Sequence, residues 1–313
     1  MKTPDTAGCQ SGADLRPLVR SDFNISPGAA LVLLVLLLII CFIGTAGASY
    51  IVGRVLEGKQ VAALRISAMI QDIVLFILPA LATAVIATRR SAALLCVRRL
   101  PSMKLLLLAT AVMVAAIPAL EAVIYWNDNI DFSFLGAGVE ALLRSVENTS
   151  AQTLAQLMGD GNIGSLIMNL LIVGIAAGFS EELLFRGTIQ RLFQCTGMGP
   201  HIAIWVTAII FSAVHMQFYG FVPRMLLGAF FGYLLYWSRS LWLPVFAHAL
   251  NNSIYVVTAW LHVRAGESVL DSEPALWSPA ATIVSALAAI VLLWAMARRR
   301  SRDSAPDSRQ KAS

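Results

Sequence analysis

Residues 23–53 carry no charged side chain. Within them, residues 29–52 are long enough for a helix to cross ~30 Å of hydrocarbon. A segment apolar on all its faces has two stable homes, a large protein core or a bilayer. Further apolar stretches follow at 66–88, 105–125, 163–190, 201–221, 224–238, 241–261 and 279–297. The sequence therefore predicts eight crossings. The sixth is short, and the fourth runs past three charges. Composition agrees: 58% of the 313 residues are hydrophobic and 13% are charged, where a soluble domain carries about 25% charged residues. That excludes a soluble enzyme, a disordered chain and a nucleic-acid binder, despite a net charge of +5.

The expected fold is all-α, a polytopic membrane helical bundle. Residues 1–27 form a cytoplasmic leader, 28–298 the transmembrane domain with a motif-bearing core at about 163–262, and 299–313 a disordered basic tail. The leader carries acids as well as bases, and the apolar run behind it is too long for a cleaved signal peptide. With the N-terminus inside, 17 of the 23 Lys and Arg fall in inside segments, so both termini are expected to be cytoplasmic. Residues 134–158 place Leu135, Val139, Leu142, Leu143 and Val146 at helical spacing, which predicts an amphipathic surface helix. Cys9, Cys41, Cys96 and Cys195 show neither a C-x-x-C pair nor metal spacing, and no disulfide is expected.

Ionisable groups within spans are functional candidates, because each costs ~2.5–3.5 kcal/mol to insert near the centre. Asp72 and Glu121 are isolated in their spans and are expected to be structural partners. The fourth span is different. It reads Gly-Phe-Ser-Glu-Glu-Leu-Leu-Phe-Arg-Gly and puts Glu181, Glu182 and Arg186 within two turns. Glu182 and Arg186 are spaced to pair on one face. Glu181 lies ~100° away, free for proton work. A buried ion pair that merely fixes packing is the plainer alternative. The fifth span ends in Phe211-Ser-Ala-Val-His215, and the seventh holds His248 and Asn252 on one stripe. His201 and His262 are expected at the interface without companions. Gly174 with Gly178, and Gly228 with Gly232, have the small-residue spacing that permits close helix approach.

A carboxylate, an imidazole, and an imidazole with an amide suit hydrolysis, which needs a base, an acid and oxyanion donors. One tension stands. A regular helix from Pro200 carries His215 ~20 Å along its axis, toward the outer half, whereas Glu181 falls toward the inner half.

Glu181-Glu182-x-x-x-Arg186, Phe211-x-x-x-His215 and His248-x-x-x-Asn252, in that order, resemble the three motifs of the CAAX-protease and bacteriocin-processing family of intramembrane endopeptidases. Within that family they resemble the type II CAAX prenyl endopeptidases. The resemblance covers about 174–255. It implies that Glu181 and His215 activate water, that His248 and Asn252 stabilise the oxyanion, and that Glu182 and Arg186 support them. It also implies a peptide or lipidated-protein substrate met in the membrane, with lipid the other partner and no nucleic acid. Glu181, His215 and His248 could serve a divalent metal such as zinc, which takes three protein ligands and water; the favoured expectation is a metal-free site. A non-proteolytic scaffold or immunity protein, and a proton-coupled transporter, are the competing classes. The expected location is a bacterial inner membrane.

Overall fold

The computed structural model describes residues 18–159, 161–268 and 277–303. The described residues are mostly helical. We number the helices α1 (Pro27–Val55), α2 (Gln60–Ala87), α3 (Met103–Asp128), α4 (Ala137–Met158), α5 (Ile163–Cys195), α6 (Pro200–Ala213), α7 (Phe221–Ser238), α8 (Trp242–Ala265) and α9 (Pro279–Asp303). The described residues hold no strand, only an isolated bridge between Phe23 and Thr88. This is an integral membrane protein, and the all-helical bundle is as expected. Among the described residues, six helices are long and apolar enough to cross a membrane. The predicted crossings at α6 and α8 are not among them; α6 is apolar but spans only Pro200–Ala213.

The local reasons are ordinary. Ser26 caps α1 by accepting from the Ala29 amide at 3.1 Å, with Pro27 at the first helical position. Asn162 caps α5 through the Ser165 amide at 2.8 Å. Leaving α1, α9 and the lipid-facing side of α3 mostly exposed costs nothing in a bilayer, because lipid tails are as apolar as Leu, Ile and Val. Three stretches have wider turns than a regular α-helix: Gln71–Ile77 in α2, and Leu170–Ala176 and Leu183–Gln190 in α5. Such widened turns concentrate at functional sites.

Several expectations change. The fifth predicted span, 201–221, breaks in two: α6 stops at Ala213, and a turn through Met216 (φ 57°) leads into α7. The last helix runs to Asp303, past the boundary expected at 298, and the remaining tail lies outside the described residues. Cys96 is disulfide-bonded, against the expectation of four reduced thiols, while Cys41 and Cys195 are free. The end of the leader packs into the core. Leu18 and Asp22 are buried, and Asp22 pairs with Arg90 at 3.1 Å beyond the end of α2. Most of the expected leader lies outside the described residues. The amphipathic helix forms as α4, held to the α6–α7 turn by Arg144 over the Tyr219 ring (4.6 Å) and by Gln217 donating to Glu147 (3.3 Å).

Candidate active site

The site is assembled where α5 meets α2, α7 and α8. Glycine sets the spacing. A Cβ on Gly178 would stand 2.9 Å from the Ala249 backbone nitrogen, and one on Gly174 would stand 2.7 Å from Ser253 Oγ. Only residues without a side chain let α8 lie this close to α5. Likewise Gly228 on α7 leaves room for Arg186, whose Nη2 donates to its carbonyl at 2.9 Å.

Ser180, Glu181 and Glu182 follow one another on α5, each turned ~100° from the last, and each meets a different partner. Ser180 Oγ donates to Asp72 Oδ1 on α2 at 2.7 Å. Glu182 Oε1 accepts from Arg186 Nη1 at 2.7 Å and from His248 Nδ1 at 2.8 Å. Glu181 lies between them, with Oε2 3.8 Å from His248 Nε2. That separation is too long for a hydrogen bond and leaves the carboxylate uncommitted. Its side chain is 14% exposed, whereas those of Glu182 and Arg186 are 0% exposed. Two adjacent glutamates thus have opposite situations: one is locked and the other is available.

The Arg186 guanidinium is sandwiched by aromatic rings, 4.4 Å from the Phe211 centroid and 5.5 Å from that of Phe231. Cation–π contact offsets part of the desolvation cost of a buried cation. His248 shares the same cage, stacked on Phe231 at 4.9 Å and edge-on to Phe211 at 5.9 Å. With Nδ1 committed to Glu182, its Nε2 is the nitrogen directed at Glu181.

His215 stands just past the end of α6. Its Nδ1 bonds the Phe211 carbonyl at 2.8 Å, one of the carbonyls that a helix end leaves unpaired. A carbonyl only accepts, so Nδ1 carries the proton and a neutral ring keeps its lone pair on Nε2. Glu181, His248 and Arg224 all act on His215 electrostatically. The depth tension therefore dissolves. α5 continues to Cys195, five residues beyond the end expected for the fourth span, which carries Glu181 farther from the inner end than its sequence position suggested.

Asn252 Nδ2 donates to the Val173 carbonyl, in a widened turn of α5, at 3.0 Å, and Asn251 donates to its Oδ1 at 3.4 Å. At least one of its two N–H groups is therefore spent on holding α8 against α5. Sequence reasoning passed over two participants, Arg224 and Phe231, and left a third, Asp72, without a named partner. Asp72 is not isolated, because Ser180 ties it to the turn that carries the glutamates. Arg224, on the first turn of α7, acts electrostatically on Glu181 and on His215 while donating to the carbonyl and Oε1 of Gln217 at 3.3 and 3.0 Å. Phe231 had no signal beyond its place on an apolar helix. Elsewhere, Glu121 accepts from Trp277 Nε1, His201 meets the Tyr233 hydroxyl at 3.0 Å, and His262 meets Glu267 at 2.7 Å. The two histidines expected to lack companions have them.

No group of three His, Cys, Asp or Glu side chains among the described residues is arranged to hold a metal ion. Glu181, His215 and His248 do not fit a zinc site in this geometry, since zinc takes three convergent protein ligands. A cavity of about 790 Å³ between α2, α4 and α5, lined in part by Gln60, Arg65 and Ile172, includes none of the site residues.

Residues 163–254 match the family model described as type II CAAX prenyl endopeptidase Rce1-like. This segment is similar to an Rce1-like domain. It contains every site residue named above except Asp72. The chain is also 25% identical over 121 residues to the uncharacterized protein YpbD of Bacillus subtilis (strain 168), a match covering 35% of this chain. The chain spans 59% of that relative's length. No solved structure matches it.

Proposed function

We propose that the chain is an intramembrane endopeptidase that hydrolyses peptide bonds of membrane-associated or lipid-modified proteins. The observation that carries this reading is the division of labour between Glu181 and Glu182 inside an Rce1-like domain. A carboxylate left free beside two imidazoles, in a span where it is costly to keep, has the placement of a general base. Glu181 takes a proton from water, and the resulting hydroxyl oxygen adds to the scissile carbonyl carbon. His215 assists through Nε2. The carbonyl electrons move onto oxygen, where the Nε2–H of His248 in its imidazolium form, its Nδ1–H held by Glu182, and a remaining N–H of Asn252 supply donors. Collapse of that intermediate breaks the C–N bond, and the proton held by Glu181 passes to the leaving amine. Glu182 and Arg186 hold the His248 ring in place. No step is routed through a metal. The supporting topology has both termini in the cytoplasm of a bacterial cell, as the distribution of Lys and Arg favours.

The decisive experiment compares membranes from cells producing the wild type with those producing Glu181→Gln. Uncleaved precursors should accumulate in the variant at unchanged protein level, and the rate of their cleavage should fall by about 10²–10⁴-fold. Wild-type cleavage by Glu181→Gln would refute Glu181 as the base, whereas cleavage unchanged in cells lacking the protein would favour a non-proteolytic scaffold. Activity that exhaustive chelation removes and zinc alone restores would overturn the metal-free form of the mechanism.

A further inference from the structure

Asp72 is the one buried acid at the site that lies outside the Rce1-like segment. It belongs to an apolar helix, is 6% exposed, and sits in the widened stretch Gln71–Ile77. Its carboxylate accepts from Ser180 Oγ at 2.7 Å, across 108 residues of sequence. Ser180 is itself fully buried, and its hydroxyl stands farther, 3.2 Å, from the Ala177 carbonyl of its own helix. The hydroxyl carries a single hydrogen. The shorter contact commits that hydrogen to Asp72, so the bond joins two helices and does not merely tidy one.

The position of that bond gives it meaning. Ser180 immediately precedes Glu181, and Glu182 immediately follows it. Glu182 is fixed on one side by Arg186 and His248, and Ser180 is fixed on the other by Asp72. Rotation of α5 about its axis is therefore pinned on both sides of the one carboxylate left free. Without the Asp72 bond, the turn would be held from the α7 and α8 side only. We propose that Asp72 is a positioning residue for Glu181, acting through Ser180 to fix the rotation of α5 at which the Glu181 carboxylate faces His248 and His215. This rests on Glu181 being the general base, as proposed above. Displacements of about 1 Å in a reacting group cost on the order of 10²-fold in rate, which sets the size of the effect.

The test uses the full-length protein in detergent and a fluorescence-quenched peptide spanning the cleavage site of a precursor that accumulates with Glu181→Gln. Asp72→Ala and Ser180→Ala should each lower kcat by about 10²-fold with little change in KM. The double variant should be no worse than either single one, because both remove the same bond. Asp72→Asn keeps an oxygen that can accept from Ser180 and should recover most of the rate lost in Asp72→Ala. Should Asp72→Ala fail to fold, Ser180→Ala decides alone, since it removes the donor and leaves the carboxylate in place. Wild-type kcat in either folded single variant, beside an inactive Glu181→Gln, would overturn the proposal while leaving the assignment of Glu181 intact. Additive losses in the double variant, or a loss carried by KM alone, would overturn it as well. An active Glu181→Gln would instead remove the reading on which it rests.

Discussion

Helices α1 and α7 both qualify as membrane-spanning, yet they are built on different plans. The most apolar stretch of α1 has a mean hydropathy of 3.0 and is 22% buried in the protein, whereas that of α7 has 1.4 and is 44% buried. The more apolar helix is the more exposed one. In water this would be inverted; in a bilayer the solvent already satisfies Leu, Ile and Val. What must be buried is polarity, so the helices that hold the site are the less apolar ones. α8 carries the logic further, since with His248, Asn251 and Asn252 on one helix it is absent from the six that qualify as spans at all.

This contrast is open to direct attack at the buried ion pair. Arg186→Ala would leave Glu182 buried with one partner fewer, and breaking such a pair costs about 3–5 kcal/mol. Thermal unfolding in detergent should show a large loss of stability, with activity lost as well. A variant that unfolds like the wild type would mean that Arg186, through its bond to the Gly228 carbonyl, is not what holds α5 to α7. The glycines give a finer comparison with opposite signs. Gly178→Ala must push its Cβ into the Ala249 backbone and should cost about 1–3 kcal/mol, whereas Gly44→Ala on α1 meets nothing within 4 Å. The second change should be neutral or raise stability by up to about 1 kcal/mol through helix propensity. Equal effects at the two positions would erase the distinction between the helices.

The smallest expected effect lies outside the spans, on α4. Burial pushes the Glu147 carboxyl above its ordinary value, with the Arg224 charge opposing. A folded-state pKa above the unfolded one means a contribution to stability that is present below about pH 4.3 and lost as pH rises through the folded value. The wild type should therefore lose stability relative to Glu147→Gln between about pH 4 and pH 7, by no more than roughly 1 kcal/mol. Unfolding temperatures measured at both ends of that range check it, and parallel pH curves for the two proteins would show that Glu147 is solvated.

The sequence made the candidate site legible because charge and imidazole stand out in apolar spans. Glu181, Glu182, Arg186, His215, His248 and Asn252 could all be named on that ground, and the structure brings them to one region of α5, α8 and the α6–α7 turn. Where α6 ends was not legible. No glycine or proline lies between Phe211 and Gln217, and the turn is made by Met216, a residue type that rarely adopts positive φ. Asp72 was visible and expected to be a structural partner, but a lone acid gives no sign of which helix will meet it. Phe211 was noticed for its spacing from His215, although its ring also covers Arg186. Its counterpart Phe231 comes from a helix where aromatic residues are common, and spacing alone cannot separate a cage wall from lipid-facing packing.

The shortness of α6 also bears on counting. α6 and α7 pack along each other as a hairpin, so the chain returns at Ser238 to the side it left at Pro200. Scoring that hairpin as two crossings or as none alters the total by an even number. If the other long helices α1, α2, α3, α5, α8 and α9 each cross once, the first and last helices open and close on the same face under either count. Parity, and not depth, then governs the sidedness of the chain ends. Reporters fused before α1 and after α9 should agree with one another however far into the bilayer His215 reaches.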